Sequence, residues 1–109
     1  MEIRGTWTKD EEGYMEFDSA QVQRLYEAVT DQYHLVYNQY LEDSDEDEAY
    51  YKALQEGYEL VTDYKTIDGA NEFATTYLTP TYMVDIWYAV DKQSQKRIYD
   101  RGFIQIKSI

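Results

Sequence analysis

Residues 45–80 read DEDEAYYKALQEGYELVTDYKTIDGANEFATTYLTP, and whether this stretch coils into helices or extends into strands decides the architecture. Tyr50, Leu54, Tyr58, Val61 and Tyr64 recur at steps of four and three, with Leu60 beside them, so the spacing predicts one helix over about 45–64. Ser44 or Asp45 is placed to cap it, and the acids that follow are favourable beside a helix N-terminus. Gly57 falls on or near the stripe, where it permits close approach to a neighbouring helix. Thr66-Ile67-Asp68-Gly69 reads as a turn leading into a short third helix whose inner face is Ala70, Phe73, Ala74 and Tyr77. Thr79-Pro80 ends it, because proline cannot continue the backbone ladder and restricts its predecessor.

Upstream, Ile3, Gly5 and Trp7 alternate with polar residues, Lys9 to Gly13 supplies turn chemistry, and Met15 and Phe17 resume an extended pattern, which together read as a β-hairpin. Asp18 is the expected N-cap of the next element, with Gln21 completing a capping box and Phe17 and Val22 forming a hydrophobic staple. Val22, Leu25, Tyr26, Val29, Tyr33, Val36, Tyr37 and Tyr40 then mark a helix over about 19–41. Downstream, Tyr82 to Val90 alternates as a strand, Asp91 to Gln95 is polar, and Lys96 to Ile109 returns, with a bulge at Gly102 where the apolar phase changes. The expected fold is one α+β domain over 1–109, of order ββαααββ: an antiparallel sheet of two hairpins, about four strands, with two long helices and one short helix inserted between them.

Twenty-two acidic residues face ten basic ones, a net charge of −12. Residues 1–72 hold nineteen acids and five bases, giving −14, whereas 73–109 hold three and five, giving +2. The acid is therefore regional. A field of that sign repels nucleic acid and anionic membrane and attracts basic protein surfaces. There is no cysteine, which excludes disulfides and thiolate chemistry. The first residues are charged where a signal peptide needs an apolar run, and no stretch has the length of a membrane span, so a cytoplasmic protein is expected.

On a continuous second helix, Asp45, Glu48, Glu56, Glu59 and Asp63 fall near one outward stripe, interrupted only by Lys52. From Glu48 to Asp63 that stripe runs about 22 Å. Glu27 and Asp31 reinforce it from the first helix, and Tyr51 adds contact area. This predicts a non-catalytic module that binds a basic protein surface, and in its sharpest form a nucleic-acid mimic that inhibits a DNA- or RNA-binding protein. In size and charge the chain resembles, by composition, the small acidic inhibitors carried by phages and mobile elements. Two alternatives stand beside it: a small-ligand or carbohydrate module using Trp7 and Trp87 as an aromatic platform on the sheet, and a structural subunit that assembles with further copies of itself.

Catalytic and cofactor chemistry has little to work with. Asp43-x-Asp45-x-Asp47 starts like a calcium loop, but the sixth and twelfth positions are Glu48 and Leu54 instead of glycine and a bidentate acid. His34, the only imidazole, has no orienting acid or nucleophile at a useful spacing, and a zinc site would have to be completed by carboxylates alone. Phosphate-binding glycine loops and nucleophile elbows are absent, so no enzyme, metal or cofactor is expected. Asp85 shares a strand face with Met83, Trp87 and Ala89 and reads as a water-facing charge that protects a sheet edge.

Overall fold

A computed structural model describes the backbone of residues 1–67, 70–91, 93–94 and 96–109, and the side chains of these except 63–74. The chain opens with β1 (Glu2–Lys9) and β2 (Met15–Phe17), paired antiparallel with Trp7 opposite Phe17. Asp10 closes the turn between them by accepting the backbone N–H groups of Glu12 and Tyr14, each at 2.9 Å.

Helix α1 (Ala20–Leu41) follows, and its cap differs from the expected one. Ser19 holds the extended N-cap conformation and accepts from the Val22 N–H at 3.1 Å. Asp18 is committed elsewhere. Its N–H donates to the Thr6 carbonyl and its Oδ1 accepts from the Thr6 N–H, so it extends the β1–β2 pairing by one residue. The capping box with Gln21 is therefore not formed, and Phe17 packs its ring against Tyr26 at 4.8 Å.

The largest departure is at 56–78. Helix α2 (Glu46–Gln55) is half the expected length. It starts as the sequence implies, with Asp45 as N-cap accepting from the Glu48 N–H at 2.9 Å. It stops because Gly57 takes φ +92°, a left-handed conformation that costs a side-chain-bearing residue free energy. Gly57 N–H then bonds the Leu54 carbonyl and Tyr58 N–H bonds the Ala53 carbonyl, the paired bonds of a Schellman stop. Beyond it lie β3 (Glu59–Ile67) and β4 (Ala70–Leu78), paired antiparallel from Glu59 opposite Leu78 to Ile67 opposite Ala70. The expected third helix is thus a strand, and the expected second half of helix two is its partner. The predicted turn at Asp68 and Gly69 lies outside the described residues.

β5 (Tyr82–Val90) and β6 (Arg97–Ser108) complete one antiparallel sheet of six strands in the order β2-β1-β6-β5-β4-β3, so the α+β class holds with six strands and two helices in place of four and three. The register shifts between Tyr88, opposite Gly102, and Ala89, opposite Ile98. Residues 99–101 are accommodated there, immediately before the glycine that marks the phase change.

Both helices lie over one face of the sheet. Trp7, Val84, Ile104 and Ile106 of that face pack with Val22 and Val29 of α1 as the fully buried core, ringed by Leu25, Tyr26, Tyr77 and Tyr88. Each fully buried Val or Ile there contributes about 1.5–3 kcal/mol relative to exposure. Asp85 points to the opposite face, as expected, but it sits on an interior strand and is only 6% exposed. It accepts a 2.5 Å hydrogen bond from Thr76 Oγ1 on β4, so it is a buried, satisfied acid and not an edge charge.

Candidate functional site

The acid-rich surface centres on the corner where α1 meets α2. Glu42, Asp43, Asp45, Glu46, Asp47 and Glu48 are all exposed there. Four of these six are explained by folding: Asp45 caps α2, and Glu46, Asp47 and Glu48 occupy its first turn, where the helix macrodipole favours negative charge. Glu42 and Asp43 have the opposite relation to α1. They follow its C-terminal end, where a cation is favoured, and α1 has no basic residue in its last turn. Their charges therefore oppose local stability.

Own-chain neutralisation is slight in this layer. Among the described residues the ion pairs are Glu2 with Arg4 at 2.9 Å and Asp100 with Arg101 at 3.2 Å, both on the sheet. Lys52, the basic side chain of α2, donates to Ser44 Oγ at 2.8 Å and lies 6.0 Å from the Tyr40 ring. Phenol hydroxyls serve where lysines and arginines are missing. Tyr40 on α1 donates to Glu56 at 2.5 Å, and Tyr50 on α2 donates to Glu59 at 2.7 Å. The second bond pushes Tyr50 up to about 12, because removing its proton would set a phenolate against a carboxylate. These struts tie α1 to the end of α2 and α2 to β3.

The expected carboxylate column is consequently broken. Asp45 and Glu48 stay on α2, but Glu56 is its C-cap and Glu59 belongs to β3, each spent on a tyrosine. Asp63 has its backbone in β3, opposite Ala74, and its side chain lies outside the described residues. Glu27 and Asp31 are exposed on α1 as expected, with Glu27 accepting from Gln23 at 2.8 Å. Tyr51 is 62% exposed and lies edge-on to Tyr50. Glu42 and Asp43, absent from the expected set, are brought into the same corner; their signal was the acidic run over 42–48, interrupted only by Ser44.

The tryptophan platform is not formed. Trp7 is 2% exposed on the helix-covered face, with its Nε1 donating to the Phe103 carbonyl at 3.1 Å. Trp87 belongs to the opposite face, half-buried, 6.1 Å from the Phe103 ring. Strand alternation separates them, since Trp7 faces Gly102 and Tyr88 across the sheet while Trp87 is the neighbour of Tyr88 in sequence.

Beside the acidic corner, Tyr33, His34, Tyr37, Glu46, Asp47 and Tyr50 line an open cleft of about 380 Å³. His34 places its ring 5.2 Å from Tyr33 and 6.0 Å from Tyr77, in edge-on aromatic contacts. Among the described residues no group of three or more His, Cys, Asp or Glu side chains is arranged to hold a metal ion, and no helix is long and apolar enough to cross a membrane. Comparison with protein-family models, with curated proteins and with solved structures finds no match to this chain.

Proposed function

We propose that this protein is a non-catalytic interaction module that docks a basic protein surface on its α1–α2 corner. One observation carries the reading: six carboxylates within residues 42–48 stand exposed without an ion pair among the described residues, and two of them, Glu42 and Asp43, sit where they disfavour their own helix. Charge kept against a local cost is better explained by a cationic partner than by folding. Glu27, Asp31 and Tyr51 would extend the contact along the helical layer. The nucleic-acid-mimic form of the idea rested on a straight row of acids along a long second helix. With α2 ending at Gln55, the reading is made for a compact basic patch.

The test uses a lysine- and arginine-rich peptide as probe. Affinity should fall steeply with ionic strength, as expected for solvent-exposed charges. Glu42→Lys with Asp43→Lys should weaken binding at least tenfold, whereas Glu11→Lys with Glu12→Lys, the same change in net charge in the β1–β2 turn, should weaken it far less. Equal losses from the two double variants, or affinity insensitive to salt, would overturn the assignment of the corner.

A further inference from the structure

A second cavity lies on the other side of α1, between that helix and the inner face of the sheet. Its volume is about 180 Å³, and Trp7, Lys9, Tyr26, Tyr77, Ile86 and Tyr88 supply most of its lining. Ile86, Tyr88 and the buried indole of Trp7 form its apolar floor, and the half-buried Tyr26 and Tyr77 stand as walls. An apolar cavity of about 150 Å³ takes a benzene ring, so this space suits a single aromatic ring with a small substituent.

Its polar groups are unspent. Tyr40 and Tyr50 donate their hydroxyls to carboxylates, but the hydroxyls of Tyr26 and Tyr77 have no hydrogen-bond partner among the described residues. Burial raises both, which keeps them as neutral O–H donors. Both hydroxyls are therefore available to donate to a ligand in the cleft. At the mouth, the exposed Lys9 ammonium lies 5.6 Å from the Tyr88 ring and, among the described residues, has no carboxylate within ion-pair distance. The Arg97 guanidinium lies 5.4 Å from the same ring.

We propose that this cleft binds a small single-ring aromatic carboxylate, its ring against Tyr88, Ile86 and Trp7, its carboxylate on Lys9, and its polar substituent taking hydrogen bonds from Tyr26 and Tyr77. This site is separate from the acidic corner and does not depend on it.

The test takes Trp87→Phe as the parent, so that Trp7 alone reports by fluorescence, with 4-hydroxybenzoate as probe. Trp7 emission should change saturably, 4-hydroxybenzyl alcohol should bind at least tenfold more weakly, and acetate should have no effect. Lys9→Ala, a change at an exposed side chain, should lower affinity for the acid to that for the alcohol, and Tyr77→Phe should weaken both. The Glu42→Lys, Asp43→Lys variant should bind the probe as the parent does. No saturable change in Trp7 emission, and none in the NMR signals of Lys9 and Tyr88 at millimolar probe, would overturn the site. Equal affinity for acid and alcohol, or an unaffected Lys9→Ala variant, would overturn the carboxylate assignment.

Discussion

The indole of Trp7 lies directly over Gly102: a Cβ built on that glycine would stand 2.5 Å from Trp7 Cζ2 and 2.1 Å from the carbonyl oxygen of Trp87. Space, not backbone conformation, reserves this position for glycine. Gly102→Ala is expected to destabilise the protein by about 3 kcal/mol or more, because the clash includes backbone that a rotamer change cannot move. Urea denaturation measures it; a loss below about 1 kcal/mol would mean that Trp7 is not seated there.

Ser19 and Asp18 have different tasks, and substitution separates them. Ser19→Ala removes the cap of α1 and should cost about 1 kcal/mol. Asp18→Ala should cost about 1 kcal/mol as well, through the lost acceptor for Thr6 N–H, and hydrogen exchange should then speed up at Thr6 and not in the first turn of α1. Faster exchange at the first turn of α1 in the Asp18 variant would restore the capping role to Asp18.

Gly57 ends α2 in a left-handed conformation, and an added Cβ would also press on Pro80 Cγ at 3.3 Å. Gly57→Ala should therefore destabilise by about 1–2 kcal/mol, and Gly57→Asn by less, since asparagine tolerates that conformation better. Thermal melts of the two variants give the order; a neutral alanine would place the helix stop elsewhere.

Alkaline pH probes the tyrosine struts. Tyr50 moves from 10.0 to about 12 through its hydrogen bond to Glu59, while burial raises Tyr26, Tyr33 and Tyr77. A raised phenol favours the neutral form in the folded state. Its contribution is therefore complete below pH about 10 and is lost as pH rises through the folded value. Tm should fall more steeply over that window in the wild type than in Tyr50→Phe; parallel curves would show that the bond to Glu59 does not contribute.

The sequence makes some of this plain and hides the rest for physical reasons. Helix α1 is legible because Val22, Leu25, Val29 and Tyr33 hold a helical period over many turns and pack on the sheet that the period implies. The 58–78 stretch misleads because Tyr58, Val61 and Tyr64 are spaced three apart and imitate a helical stripe, although Gly57 is the stronger local signal, that of a helix stop. β-branched Val61, Thr62, Thr66 and Ile67 also favour the strand. At the corner, the acidic run is visible as composition. The Tyr40–Glu56 and Tyr50–Glu59 bonds are not, because they join residues that only the folded helices and β3 bring together.

The twelve-residue β6 is the sole strand joining the β2–β1 ribbon to the β5–β4–β3 ribbon, and it does so by pairing residues about a hundred positions apart, such as Ile3 with Ile106. During synthesis the core must therefore wait: everything up to Val90 can emerge while the two ribbons still share no backbone hydrogen bond. Loop closure over such separations is slow, so folding should be gated by the arrival of the last strand. A nascent chain halted before Arg97 would leave the edges of both β1 and β5 open to other strands.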